Sequence, residues 1–191
     1  MPVSNEDRRV RKTKKQLRSA LTTLLLENDI SHITVRDVAE LADVNRGTFY
    51  AHYSDVHDLL HQLEADLLEQ LDLLGTKHNA RQSDGKTFRY LTDLFALAGE
   101  YSDIYYTLYC RSGDSEFQEK IFNTLKYQYL YEFLSIFGGS ESAKLDYCAS
   151  FIVSGMCTLA KVWIEGGMQE TPEEMARLGG EFIMRGVKIL Q

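Results

Sequence analysis

The segment Asp43–Tyr53, DVNRGTFYAHY, concentrates side chains that can recognise another molecule. Arg46 presents a planar fork of donors that matches the O6 and N7 acceptors of guanine. Thr48, Tyr50 and His52 can hydrogen-bond phosphate oxygens and fix a register without reading sequence. Gly47 removes a side chain beside Arg46, so the helix start there can approach a partner closely. Phe49 and Tyr53, four residues apart, face inward and can anchor the segment to its neighbours. A helix that only filled a core would carry Leu and Ala here. The chemistry these residues suit is contact with base edges and phosphates.

Competing chemistries find little support. There is no G-x-S-x-G, no phosphate loop and no H-E-x-x-H, so no enzyme is expected. His57, His61 and Glu64 share a helix face, but without a fixed fourth ligand they read as an exposed polar face, and no metal or cofactor is expected. Cys110, Cys148 and Cys157 form no C-x-x-C pair and sit in apolar stretches, as reduced core cysteines of a cytoplasmic protein do. No charged-then-apolar signal segment opens the chain, and the longest mainly apolar run, Tyr147–Ala160, ends at Lys161, too short to span a bilayer.

The net charge of −7 argues against a polyanion partner until its placement is considered. Residues 1–53 carry nine basic and seven acidic side chains, whereas residues 54–191 carry twelve and twenty-one. Arg8, Arg9, Arg11, Lys12, Lys14, Lys15 and Arg18 crowd the first twenty positions. A basic head on an acidic body suits a polyanion at the head alone.

The elements that must hold these groups are helical. Prolines stand only at 2 and 172, and runs of period two are lacking, which predicts an all-α fold. A first helix over about 8–27 buries Leu17, Ala20, Leu21, Leu24 and Leu25. Thr34 and Asp37 have the spacing of a capping box, with Ile33 and Val38 placed as a hydrophobic staple, and open a second helix that ends near Ala42. Asn45 is an N-cap for a third helix, with Val44 and Phe49 repeating the staple. Two short capped helices joined by a tight turn are the sequence form of a helix-turn-helix. A linking helix follows over about 54–74, then a polar loop from Gly75 to Lys86. Helices over about 87–100, 102–111, 115–137, 142–166 and 173–190 make up the body, with a break at Gly138-Gly139 and a strong start at Thr171-Pro172-Glu173-Glu174. The division expected is a head of residues 1–53 and a body of residues 54–191.

The run TVRDVAELADVNRGTFYAHY, followed by SDVHDLL, resembles the DNA-binding head of the TetR family of transcriptional regulators. The resemblance covers roughly residues 8–60. It implies that Arg36, Arg46 and Gly47 lie at bases of a double-stranded operator, and that Thr34, Thr48, Tyr50 and His52 contact phosphates. Lys12 and Lys15 of the first helix are candidates for further DNA contacts. Two positions depart from the family pattern: Asp43 stands where glycine is frequent, and Val56 where lysine is usual. The resemblance also implies a body that binds a small-molecule or protein effector and makes a homodimer. The C-terminal arrangement FIVSGM…WIEGGM…TPEEM is similar to that of the subgroup of the dihydroxyacetone kinase operon activator.

Two apolar stripes fit such a dimer. One holds Leu145, Ala149, Ile152, Met156, Leu159 and Trp163; the other holds Met175, Leu178, Gly179, Phe182, Ile183, Gly186 and Leu190. The interface residues expected are Ile152, Met156, Leu159, Met175, Leu178, Gly179, Phe182, Ile183 and Gly186, unless the stripes serve only the chain's own core. Eight of the eleven tyrosines lie between positions 90 and 131. Tyr101, Tyr105, Tyr109 and Tyr127, with Trp163, are candidates for an effector pocket, and plain core packing is the alternative. The function expected is a dimeric, sequence-specific DNA-binding regulator. An all-α ligand-binding or adaptor protein, or a co-regulator, whose head binds DNA weakly is the competing reading.

Overall fold

A computed structural model of the chain describes residues 5–77, 86–111, 115–130 and 143–187. Among these residues all regular structure is helical. In chain order the α-helices are α1 (Asn5–Leu25), α2 (Val35–Leu41), α3 (Arg46–Tyr50), α4 (Val56–Lys77), α5 (Lys86–Glu100), α6 (Ser102–Ile104), α7 (Ser115–Asn123), α8 (Ala143–Glu165) and α9 (Pro172–Val187). A 3-10 turn, Ile30–His32, joins α1 to α2. Two π-helical stretches, Tyr105–Arg111 and Thr124–Leu130, continue α6 and α7.

The expected stripe of α1 is its buried face: Leu17, Ala20, Leu21 and Leu25 are buried and Leu24 packs against them. The short helices form because their ends are closed. Thr34 Oγ1 accepts from the Asp37 amide at 3.3 Å, and Asp37 Oδ2 accepts from the Thr34 amide at 2.9 Å. The Thr34 hydroxyl, which donates to Asp37 Oδ2 at 2.7 Å, and the Thr34 amide hold the Asp37 carboxyl below the usual carboxylate range. Asn45 Oδ1 accepts from the Thr48 amide at 2.7 Å and starts α3. Between the two, the Val44 amide reaches back to the Ala39 carbonyl at 3.0 Å while Asp43 takes a left-handed φ of 53°. Asp and Asn tolerate that conformation better than most residues other than glycine, so Asp43 can replace the glycine this turn favours.

Several boundaries differ from the sequence reading. α4 runs past Gly75 to Lys77, where Lys77 Nζ pairs with Asp93 of α5 at 2.8 Å. The 3-10 turn escaped it because its closure is local: Asp29 Oδ1 accepts from the Ser31 amide at 2.9 Å. The helices expected over 102–111 and 115–137 are α-helical only at first and then widen into π turns as far as Arg111 and Leu130, and residues 131–137 lie outside the described residues. Gly138-Gly139 and Leu190 lie outside the described residues. α8 also exceeds the apolar run read from sequence, because Val162, Trp163 and Ile164 carry it past Lys161. By length and composition, Leu145–Glu165 could cross a membrane (mean hydropathy 1.4).

The buried residues form two clusters. The first begins in α1–α3, continues along α4 through Leu59, Leu60, Leu63, Leu67 and Leu71, and extends into Ile104, Leu108, Phe117 and Ile121. The second joins α5, α8 and α9 through Leu91, Phe95, Leu145, Ala149, Trp163, Met175 and Ile183. Trp163 packs edge-on to Phe95, and its Nε1 donates to the Glu170 carbonyl at 3.0 Å, tying the α8–α9 turn.

Candidate nucleic-acid interface

The local folding of DVNRGTFYAHY separates its side chains by face. Phe49 is fully buried and Tyr53 nearly so, with ring centroids 5.7 Å apart. Arg46 and Gly47 are exposed, Tyr50 is 58% exposed, and Thr48 and His52 are half-buried. Tyr50 stands edge-on to the buried Phe49 ring at 5.7 Å. A Cβ at Gly47 would lie 3.2 Å from Asn45 Oδ1, so a side chain there presses on the cap that starts the helix. The Thr48 hydroxyl donates to the same Asn45 oxygen at 3.1 Å.

The first turn of α2 contributes to the same region. Arg36 is exposed, and its Nε donates to Glu40 Oε1 at 2.8 Å, which favours the charged guanidinium. Both Arg36 and Arg46 act on the Asp37 carboxyl through their charge, so the starts of α2 and α3 lie within electrostatic reach of each other. Thr34, at the N-cap, is exposed. Lys12 and Lys15 are exposed on α1, whose residues from Arg8 to Gln16 include none that is buried. Val56 is 5% exposed and belongs to the first core cluster, so its aliphatic side chain fills the core at the start of α4. The helix there is capped by Asp55, which accepts from the Asp58 amide at 2.8 Å.

The Thr34 box lends itself to a direct measurement. Thr34→Ala should lower unfolding stability by about 0.5–2 kcal/mol, followed by far-ultraviolet circular dichroism in urea. Thr34→Ser, which keeps the cap oxygen, should lie within a few tenths of the parent.

Elsewhere the structure redistributes the candidate residues. Ile152, Met175 and Ile183 are at most 7% exposed and sit in the second core cluster, out of reach of a partner. Gly179 is also inside: a Cβ there would meet Met156 Cε at 2.6 Å, so this glycine lets α8 and α9 of one chain approach. Met156 and Leu159 are half-buried against the same cluster. Ile152, Met175, Ile183 and Gly179 thus serve the chain's own core, the alternative the sequence left open, while Met156 and Leu159 keep part of their surface. Leu178 and Phe182 reach the surface, and Gly186 has open space around it. α8 also exposes Tyr147, Phe151 and Val162, with Gly155 open as well. The sequence signal for these was a second apolar period on α8, offset from the buried one.

An apolar cavity of about 50 Å³ lies between α4, α5, α7 and α8, lined by Leu67, Leu71, Phe95, Ile121, Met156 and Ala160 among others. Of the five aromatic pocket candidates only Tyr105 lines it, and its hydroxyl already donates to the Cys157 carbonyl at 3.0 Å. Tyr109 stacks on Tyr105 at 4.8 Å, Tyr101 packs against the first cluster, Trp163 closes the α8–α9 turn, and Tyr127 is 54% exposed beside Lys126. Helical spacing could not separate these fates, because it reports a face and not what the face meets. Cys157 also lines the cavity, and burial pushes its thiol up. His61 Nδ1 lies 3.5 Å from Glu64 Oε2, and no group of three or more potential metal ligands converges among the described residues.

A two-capped helix-turn-helix with an outward polar face, followed by a long linking helix and a helical body, defines a class of protein that comparison with known chains makes specific. A family model described as "Transcriptional regulator C-terminal region", of the TetR type, matches residues 86–185, and the chain belongs to the TetR family of transcriptional regulators. A TetR transcriptional regulator from Streptococcus agalactiae 2603V is 28% identical, with 93% of this chain and 97% of that one covered at a TM-score of 0.59. The dihydroxyacetone kinase operon activator DhaS is 17% identical over 94% of this chain and 98% of its own, with a TM-score of 0.58, a likeness of fold. An uncharacterized HTH-type transcriptional regulator of Bacillus subtilis (strain 168), YxbF, is 39% identical over 56 residues, which span 29% of this chain and 15% of that protein.

Proposed function

We propose that the chain binds a palindromic DNA operator as a homodimer, with residues 1–53 as the reading head and residues 54–191 as the effector-binding and dimerising body. The observation that carries this is the division of the segment Arg46–Tyr53, in which Phe49 and Tyr53 are buried while Arg46, Gly47 and Tyr50 stand exposed. Arg46 and Arg36 would read base edges, with Gly47 admitting close approach. Thr34, Thr48, Tyr50 and His52 would bond phosphates, and Lys12 and Lys15 would add charge along the backbone. The burial of Val56 leaves the start of α4 without the family's lysine, so phosphate attraction at the head falls to α1.

The second half of the proposal is the dimer. Tyr147, Phe151 and Val162 on α8, with Leu178 and Phe182 on α9, are all exposed and apolar. Together with the open glycines 155 and 186 they suit a four-helix contact between two copies. A two-fold dimer would set the heads about 34–36 Å apart, or a multiple of that, to meet successive major grooves. This working place is the cytoplasm, where DNA is accessible.

Control would come from the body. The cavity lining is apolar and its tyrosine hydroxyl is already engaged, which supports an uncharged, apolar small molecule. A protein effector is the second reading, supported by the size of the cavity, about 50 Å³ against the hundreds usual for drug-sized ligands.

Selection of bound duplexes from a random library tests the reading, and enrichment of a palindrome is the expected result. On the selected operator Arg46→Ala should lose about 1–3 kcal/mol and relax preference at one base position. If Arg46→Ala ranks every operator variant as the parent does, the assignment of that reader is wrong. Selection that returns no motif favours an adaptor protein.

A further inference from the structure

Arg36 and Glu40 carry charges that oppose the helix they stand on. Arg36 lies in the first turn of α2 (Val35–Leu41) and Glu40 in the last. A helix dipole favours acidic side chains at its start and basic ones at its end. Their order is also the weaker one, because an acid four residues before a base gains more than the reverse. The side chains are 64% and 65% exposed, where an ion pair adds little to stability. A carboxylate on a face meant for a polyanion costs affinity as well. Neither helix stability nor phosphate attraction accounts for Glu40.

What Glu40 holds does account for it. Arg36 Nε donates to Glu40 Oε1 at 2.8 Å. A guanidinium is a planar fork of donors that can meet a base by its side edge, Nε with one Nη, or by its end edge, Nη1 with Nη2. With Nε engaged by Glu40, the side edge is taken and the end edge is left. The bond also restrains rotation of the guanidinium plane. The neighbouring carboxylate serves differently: Asp37 Oδ2 accepts from the Thr34 amide and hydroxyl and belongs to the cap. Arg46, the other base reader, acts on Asp37 through its charge. On α2, Glu40 is thus the carboxylate bonded directly to a base reader.

We infer that Glu40 is a positioning residue for base reading: it holds Arg36 by Nε, presents the paired Nη donors to guanine O6 and N7, and keeps that guanidinium from closing on a phosphate. Paired donors match guanine, whose two major-groove acceptors adjoin, and mismatch adenine, which offers an acceptor beside a donor. Released from Glu40, Arg36 would bond phosphates on any sequence. Glu40 therefore lowers affinity for DNA at large and sharpens selectivity at one base pair. This role rests on the DNA-binding reading above.

The test compares Glu40→Ala with Glu40→Gln on the operator that selection returns. Glu40 is exposed, so neither substitution opens the core. Arg36→Ala first marks the base pair that Arg36 reads, as the position whose preference it relaxes. Glu40→Ala should relax the same position by about fivefold or more and leave the others as in the parent. On a duplex lacking the palindrome it should bind more tightly. There its log affinity should fall more steeply with log salt, by about one unit of slope, as Arg36 takes a phosphate. Glu40→Gln keeps an oxygen that accepts from Nε, so it should hold the preference while tightening non-specific binding. In an Arg36→Ala background, Glu40→Ala should alter no base preference. Without DNA, nitrogen relaxation at Arg36 Nε, assigned by its loss in Arg36→Ala, should show a higher order parameter in the parent and Glu40→Gln than in Glu40→Ala.

Glu40→Ala binding every sequence more tightly by one factor, with preference intact, overturns the inference, because the carboxylate would then act by charge alone. A preference lost as fully in Glu40→Gln as in Glu40→Ala overturns it too, as does an Arg36 order parameter equal in the parent and Glu40→Ala. A parent that enriches no palindrome refutes the DNA-binding reading, whereas a palindrome read alike by parent and Glu40→Ala refutes the Glu40 role alone.

Discussion

Phe151→Glu and Phe182→Glu should each leave the chain monomeric in sedimentation equilibrium and reduce operator binding to the non-specific level, a loss on the order of 10³-fold or more. Phe151 is 81% exposed and Phe182 60%, so neither change opens a hole in the chain's own core. Residues advance about 100° per position on a helix, which sets Tyr147, Phe151 and Val162 opposite the side of α8 that carries Leu145 and Ala149. α8 is therefore apolar on two sides, and one of them is covered by its own chain. Gly186→Glu should act in the same direction, because the space around that glycine is open. Met184→Glu is the control: Met184 is 49% exposed but turned away from Phe182, so the dimer should persist. Normal helical content with an unchanged dimer for both phenylalanine variants would move the interface to another surface.

Phe49→Ala should destabilise the head by about 3–5 kcal/mol, enough to abolish operator binding at ordinary temperature while the body stays helical. Phe49 is fully buried and shares a cluster with Leu17 and Leu21 of α1, Val38 of α2 and Leu59 of α4, the three helices it must hold. α3 has only five residues, too few to persist without that anchor. Phe49→Leu keeps much of the volume and should cost far less. Amide exchange across residues 34–53 gives the reading: protection lost in Phe49→Ala and kept in Phe49→Leu is expected, and equal protection in both would mean that the caps alone sustain the motif.

The head was legible in the sequence because its determinants are local. Thr34 finds Asp37 three residues on, Asn45 finds Thr48, and Phe49 alternates with exposed Tyr50, so spacing alone names partner and face. The body was legible only as helices. Ile152 and Phe151 are neighbours of similar type, yet one lies in the core and the other on the surface, because α5 and α9 arrive from far along the chain. Gly179 and Gly186 look alike in the stripe, but Met156 crowds the first and nothing crowds the second. The tyrosines invited a polar pocket, whereas the cavity is walled by the leucines and alanines of four different helices. Arg18 and Asp66, 48 positions apart, left no sequence signal of their pairing.

The first core cluster has a practical consequence for anyone who would exchange specificities between regulators of this kind. Its apolar contacts do not stop at Tyr53; they run without a gap along α4 into Ile104, Leu108, Phe117 and Ile121. A graft cut at residue 53 would part Phe49 and Val38 from the leucines of α4 that complete their cluster, and would lay those leucines bare on the recipient. The unit of exchange is therefore a packing unit and not the recognition motif. A working chimera must carry α4 with its head, together with the residues of α6 and α7 that meet it.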